Sequence, residues 1–312
     1  MRVVYFGTPA AAVAPLEALL ASEHEVVAVV TRPDKPRDHR GGAPAPSPVK
    51  RVALGAGVPV LQPRGGRDPE LPGQLAATGA DIGCACAFGF LLPPPVLAAL
   101  PRGIINLHFS LLPAYRGAAP VQRALLDGVE VTGVCTFQID EGMDTGPLLA
   151  CREVPVLGGE DAGSLTARLA EIGADLVIET LDGLQSGSIH PRPQPPDGSL
   201  APKVDPAEAR LDFKAPAERV VRAVRAFSPS PGAWTTFRGR RLKVARAEPA
   251  RPGAGAGLAP GRLTVGPHGE LLAGAGDGAV ELVTVQPEGK RAMTGVEFAR
   301  GARLPDEEWL GR

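Results

Sequence analysis

The 312-residue sequence predicts an α/β fold, a doubly wound and mostly parallel sheet followed by a small β-barrel. Three observations point to it. Apolar runs of strand length alternate with amphipathic stretches through residues 1–185. A break rich in Pro and Gly, with no periodicity, follows at 186–206. Beyond it lie short strands of even spacing separated by glycine turns. The expected organisation is a domain over 1–185, a linker over 186–206 and a second domain over 207–312.

The first strand is the apolar run closed by Gly7, Thr8 and Pro9. Val13, Leu16, Leu19 and Leu20 then recur at helical spacing, and 24–31 (HEVVAVVT) reads as a second buried strand. This βαβ unit begins a Rossmann-like sheet. Its turn lacks the G-x-G-x-x-G pattern, which argues against a dinucleotide cofactor. Residues 32–48 form a long polar loop containing Lys35, Arg37 and Arg40, which reads either as a solvated loop or as a phosphate contact. Helices and strands then alternate to the strand at 103–109 (GIINLHF), a helix over 119–126 and strands at 129–139 and 146–156. A helix over 161–184 closes the domain, with Leu165, Leu169, Ile172, Leu176 and Ile178 as its buried stripe. After the linker, a helix over 215–227 leads into strands whose number and spacing fit an OB-like barrel.

Composition narrows the class. The net charge of −1 is near neutral, and no apolar run approaches the roughly 18 residues that a membrane span requires. A monomeric cytoplasmic protein is expected. Its four cysteines (Cys84, Cys86, Cys135 and Cys151) have no zinc-like spacing, so buried reduced thiols and no metal are expected. The charge is unevenly spread. Residues 219–251 hold nine Lys or Arg, among them Arg222, Arg225, Arg238, Arg240, Arg241 and Lys243, against the single acid Glu248. Such a run is a solvated face or a surface for phosphates.

The chemistry gathers at 103–120. Asn106 and His108 lie two apart in a strand and so share a face. The turn after the next strand supplies Asp140, Glu141 and Asp144. If that turn lies on the same edge of the sheet, Asp144 reaches His108. Amide, imidazole and carboxylate would then serve acyl transfer, with Asn106 and His108 donating to an oxyanion and Asp144 holding the imidazole. There is no G-x-S-x-G elbow and no cysteine beside the histidine, so the acceptor attacks directly. The plain alternative is a hydrogen-bonded core histidine and an unrelated turn carboxylate.

The stretches NLHFSLLPAYRGAAPVQRALLDG and TGVCTFQIDEGMDTGPLL resemble the 10-formyltetrahydrofolate-dependent formyltransferases. The segments FGTPAAAVAPLEALLASEHEVVAVVTRPDKP, PSPVK, RAFSPSPGAW and VQPEGKRAMTGVEFARG extend the likeness over nearly the whole chain, to the branch that formylates initiator methionyl-tRNA. The resemblance implies a catalytic Asn106, His108 and Asp144. It also implies a folate site bordered by Ser110, Leu111, Leu112 and Pro113. The pterin would be held by Phe88, Phe90, Leu91 and Leu92 with Ile139, Asp140 and Glu141. Arg40 matches a basic residue that reads the tRNA acceptor stem, although Gly41, Gly42 and Ala43 stand where the family often carries lysines. Lys35 and Arg37 would share that contact, and the cations after the linker would bind the tRNA backbone. A UDP-aminosugar formyltransferase, a formyltetrahydrofolate hydrolase and a non-catalytic RNA-binding protein are the alternative readings.

Overall fold

The structure is a computed structural model that describes residues 1–37, 42–304 and 308–311, without side chains at 35–37 and 42–44. Two compact units are present. One comprises Met1–Pro120, Val131–Pro155 and Thr166–Pro202, and the other Val121–Glu130, Val156–Leu165 and Lys203–Arg312.

The elements through both units begin with β1 (Arg2–Gly7), α1 (Val13–Leu20), β2 (Glu25–Val30), β3 (Lys35–Arg37), β4 (Gly42–Ala45) and α2 (Pro48–Gly55). There follow β5 (Val60–Leu61), α3 (Leu71–Ala77), β6 (Ile82–Cys86), α4 (Pro94–Leu97) and β7 (Ile104–His108). Next come α5 (Pro120–Asp127), β8 (Val131–Gln138), β9 (Leu148–Pro155) and α6 (Ala162–Ser186). In the first unit seven strands form one sheet in the order β5-β2-β1-β6-β7-β8-β9. Strands β5 through β7 run parallel, and β7–β8 and β8–β9 pair antiparallel. The strand order turns back between β1 and β6, which leaves an open crevice beyond the strand ends there.

Strand β1 is apolar on both sides because helices cover both faces. Val4, Phe6, Ala85 and Ile104 pack on one face against Leu71, Leu75 and Val96 of α3 and α4. On the other face Leu107 is pressed onto Gly173 of α6, where a Cβ would stand 2.6 Å from a Leu107 methyl carbon. Face alternation in β7 therefore sends Leu107 to α6 and Ile104, Asn106 and His108 to the opposite side. That side changes from apolar to polar along the strand. Helix α2 starts at a defined point, since Ser47 accepts the Lys50 N–H at 3.0 Å and Pro48 occupies the first turn.

The second unit contains α7 (Ala217–Phe227), β10 (Trp234–Phe237), β11 (Arg240–Pro249), β12 (Arg262–Val265), β13 (Leu271–Gly274), β14 (Ala279–Pro287), β15 (Met293–Thr294), α8 (Gly295–Ala302) and β16 (Glu308–Trp309). Antiparallel pairing runs β10-β11-β14-β13-β12-β16, with β15 on β14. Beyond β16, Leu310 bridges to Phe237 and the Gly311 N–H bonds the Thr236 carbonyl at 2.9 Å, so the sheet curls into a nearly closed barrel. Leu242, Val244, Leu263, Leu271, Val280 and Leu282 fill it, with Val220, Val224 and Phe227 of α7 and Phe298 of α8 packed in. The mostly parallel α/β sheet and the barrel are the architecture predicted from the sequence.

Two expectations are corrected. Cys135 and Cys151 are not reduced thiols but a disulfide. They face each other across β8 and β9, a juxtaposition that register creates and sequence spacing does not reveal. Cys84 and Cys86 are free and buried, and burial pushes the Cys86 thiol up to about 12. Residues 32–48 are also not loop throughout, because β3 and β4 pair as a short antiparallel ribbon. Arg40 lies outside the described residues, as do the side chains of Lys35 and Arg37.

The segment leading into that ribbon is anchored by a polar cluster. Lys50 Nζ donates to Asp34 Oδ2 at 2.6 Å and to Gln62 Oε1 at 2.8 Å, while Gln62 Nε2 donates to Asp34 Oδ1 at 2.9 Å. The hydrogen bonds from Lys50 and then Gln62 hold the Asp34 carboxyl below its ordinary range. A lowered folded value means stability that is present above the unfolded value and is lost as pH falls through the folded one. The difference in unfolding free energy between wild type and Asp34→Asn should therefore be constant above about pH 5 and shrink below about pH 3.9. Denaturant titrations from pH 3 to 7 measure it, and a difference that does not change with pH would contradict the assignment.

Candidate active site

A cavity of about 480 Å³ opens in the first unit over β6 and β7. One wall is the loop after β6, with Phe88, Phe90, Leu91 and Leu92. Asn106 and His108 of β7 face it, and the turn after β8 closes it with Ile139, Asp140, Glu141 and Asp144. Phe88 stands edge-on to Phe6 at 5.5 Å and to Phe90 at 5.3 Å, which ties this wall to the core. The Arg32 guanidinium lies 4.6 Å over the Phe90 ring.

His108 is buried, with hydrogen-bond acceptors near both ring nitrogens. Nε2 lies 2.9 Å from the Tyr115 carbonyl oxygen. A carbonyl only accepts, so Nε2 carries a proton there. Nδ1 lies 3.6 Å from Asp144 Oδ2. Asp144 Oδ2 itself accepts the Gly117 N–H at 2.8 Å. Asn106 is half-buried, and its side-chain amide makes no hydrogen bond among the described residues. An uncommitted amide donor and an imidazole nitrogen beside a carboxylate thus border one cavity. Such a set can stabilise an oxyanion and move a proton during acyl transfer.

Asp144 reaches His108 by a different route from the one expected. Because β8 is antiparallel to β7, it ends at Gln138 opposite Ile105, at the far end of β7 from His108. The turn then doubles back to bring Asp144 beside the imidazole. Asp140 shapes that turn, accepting from the Gly142 N–H at 3.0 Å and from the Thr145 hydroxyl at 2.8 Å.

The four residues Ser110, Leu111, Leu112 and Pro113 are not among those lining the cavity. The Ser110 hydroxyl donates to the Ala114 carbonyl at 2.6 Å, and Leu112 packs with Cys135 and Phe137. With the Ala114 N–H bonded to the Leu111 carbonyl at 3.0 Å, they fix the turn that leads into Tyr115–Gly117. The Tyr115 carbonyl and the Gly117 N–H escape a reading of side chains because both are backbone groups. The one sequence signal is the glycine itself. Gly117 has φ +123°, and a Cβ there would lie 2.7 Å from the Ala201 carbonyl oxygen.

In the second unit the basic run is less free than its sequence implies. Arg222 pairs with Glu218 and donates to the Asp127 carbonyl at 3.2 Å. Arg225 Nε donates to the Glu160 carbonyl at 2.6 Å. Arg238 pairs with Glu308 at 2.5 Å and Arg240 with Glu288 at 3.4 Å. Three of the acids that balance the run, Glu218, Glu288 and Glu308, come from outside 219–251, while Glu248 within it pairs with Arg246. Arg241 stacks at 4.4 Å on Trp234, and Lys243 is exposed on the next outward position of β11.

The family model described as formyl transferase matches residues 1–181, and the model of the formyl transferase C-terminal domain matches 203–303. The chain is 48% identical to a methionyl-tRNA formyltransferase of Acidothermus cellulolyticus, with 97% of this chain and 98% of that protein covered. It is likewise 48% identical to the methionyl-tRNA formyltransferase of Streptomyces coelicolor, with 100% of each covered. HypX from Aquifex aeolicus, solved in complex with tetrahydrofolic acid, is similar in fold at a TM-score of 0.68 and 19% identity, over 96% of this chain and 47% of that one.

Gly117→Ala should displace the backbone that bonds the Asp144 carboxylate. A loss of formyl-transfer turnover of about 100-fold is expected, the scale of a roughly 1 Å misplacement at a reacting centre. Turnover assays beside a circular dichroism spectrum check it, and a fully active Gly117→Ala protein would show that the backbone bond is dispensable.

Proposed function

The chain belongs to the methionyl-tRNA formyltransferase family, and on that premise we propose that it transfers the formyl group of 10-formyltetrahydrofolate to the α-amino group of methionyl-initiator tRNA, giving N-formylmethionyl-tRNA for translation initiation. The observation that carries the chemistry is the meeting of Asn106, His108 and Asp144 at one cavity. Identity extending through both units supports the acceptor.

The neutral amine attacks the formyl carbon directly. A nitrogen–carbon bond forms to the methionyl amine, the bond to N10 of the folate breaks, and one proton passes from the amine to N10. The Asn106 amide donates to the developing oxyanion. Removing one such donor in a hydrolase costs about 3 kcal/mol. Nε2 of His108 is engaged by Tyr115, so its Nδ1–H is the donor this ring offers, in the protonated form balanced by Asp144. As the bond to N10 breaks, Nδ1 gives its proton to N10, directly or through a water, and then takes up the proton the amine releases, so the ring ends as it began.

Phe88, Phe90, Leu91, Leu92, Ile139, Asp140 and Glu141 line the cavity that takes the pterin; Ser110, Leu111, Leu112 and Pro113 border the folate site without lining that cavity. Lys35, Arg37 and Arg40 are assigned the contact with the acceptor stem from the sequence resemblance alone. On the barrel, Arg240, Arg241 and Lys243 are the cations best placed for the tRNA backbone, with Arg222, Arg225 and Arg238 mainly holding structure. The enzyme acts in the cytoplasm as a monomer, and among the described residues no helix is long and apolar enough to cross a membrane.

One assay separates this reading from its rivals. Labelled formyl donor is offered with charged initiator tRNA, with a UDP-aminosugar, or with no acceptor. Label should pass to the tRNA alone. Transfer to the sugar, or equal release of formate without acceptor, would overturn the assignment. In the same assay Asp144→Asn should stay folded and lose about 100- to 10,000-fold in turnover. Turnover at the wild-type rate would remove Asp144 from the mechanism.

A further inference from the structure

The firmest hold on the Asp144 turn comes from a segment that the sequence presents as linker. Gln194 Nε2 donates to the Asp144 carbonyl at 2.9 Å and to the Gly146 carbonyl at 2.7 Å. Its Oε1 accepts from Arg116 Nε at 3.1 Å and Nη2 at 2.8 Å. Arg116 is itself buried, at 8% exposure, and reaches the Pro195 carbonyl at 3.0 Å. Both donors and both lone pairs of the Gln194 amide are thus used. Reversing the amide would set its oxygen against two carbonyls and its NH₂ against a guanidinium, so only one orientation is stable.

Gln194 joins the two segments whose meeting makes the site. On one side it holds the backbone on which Asp144 is mounted. On the other it holds Arg116, whose neighbours Tyr115 and Gly117 bond His108 and Asp144. Arg116 is fixed further by backbone bonds, its N–H to the Ser199 carbonyl at 2.9 Å and its carbonyl from the Ala201 N–H at 2.6 Å. Asp144 has φ +55°, a left-handed conformation that a non-glycine residue keeps only where its surroundings impose it. Two bonds from one side chain, to that residue's own carbonyl and to the carbonyl two residues on, supply the constraint.

We infer that Gln194 is a positioning residue for formyl transfer. It sets the Asp144 carboxylate against His108 Nδ1, with Arg116 locking its amide. This rests on the role proposed above for Asp144.

The test is a double-variant cycle in the full chain, with methionyl-tRNA and 10-formyltetrahydrofolate as substrates. Gln194→Met preserves side-chain length and removes both donors. Its kcat should fall about 10- to 100-fold, with KM for each substrate within about threefold of wild type. In an Asp144→Asn background the same change should cost less than about twofold, because the carboxylate through which Gln194 acts has been removed. A wild-type kcat in Gln194→Met, or losses that multiply in the double variant, would overturn the inference. Gln194→Glu, which keeps the Arg116 contact but lacks the donors, is judged by the same criteria if thermal melting shows Gln194→Met to be unfolded. A wild-type protein that formylates no methionyl-tRNA overturns the functional reading itself, an outcome distinct from an active wild type with an unaffected variant.

Discussion

Backbone groups of Tyr115 and Gly117 hold the imidazole and the carboxylate of the site at the same time. One accepts from a ring nitrogen and the other donates to a carboxylate oxygen. Their separation along the chain therefore helps set the spacing of His108 and Asp144, which come from strands and turns far apart in sequence. Neither backbone group can rotate away as a side chain can. Oriented groups that need little rearrangement when charge develops are the basis of electrostatic preorganisation.

The sheet explains why this brace is needed. An antiparallel β8 delivers its turn to the wrong end of β7. The doubled-back path brings Asp144 to the imidazole, but it leaves a polar turn crossing above a buried strand. Asp140, Thr145 and Gln194 occupy the hydrogen-bonding groups that such a turn would otherwise expose.

Much of this was legible in the residues alone. Strand-length apolar runs located the sheet, and the alternation of Asn106, Leu107 and His108 placed amide and imidazole on one face. What stayed hidden depends on pairing between distant strands or on backbone atoms. Cys135 meets Cys151 through the register of β8 and β9. Gln194 sits among prolines with no periodic signal, and its partners are carbonyls, which every residue has. The acid-poor stretch 219–251 looked uncompensated because a count along the chain cannot see Glu288, just past β14, and Glu308 of β16 arriving beside it.

Those pairings change how a polyanion would be bound by the barrel. An arginine already matched to a carboxylate does not simply trade small ions for a phosphate; it must leave one anionic partner for another or share itself between them. The released carboxylate then gathers cations of its own. The dependence of binding on salt, which counts the net ions set free, would accordingly register fewer charges than the number of guanidinium groups actually touching the ligand.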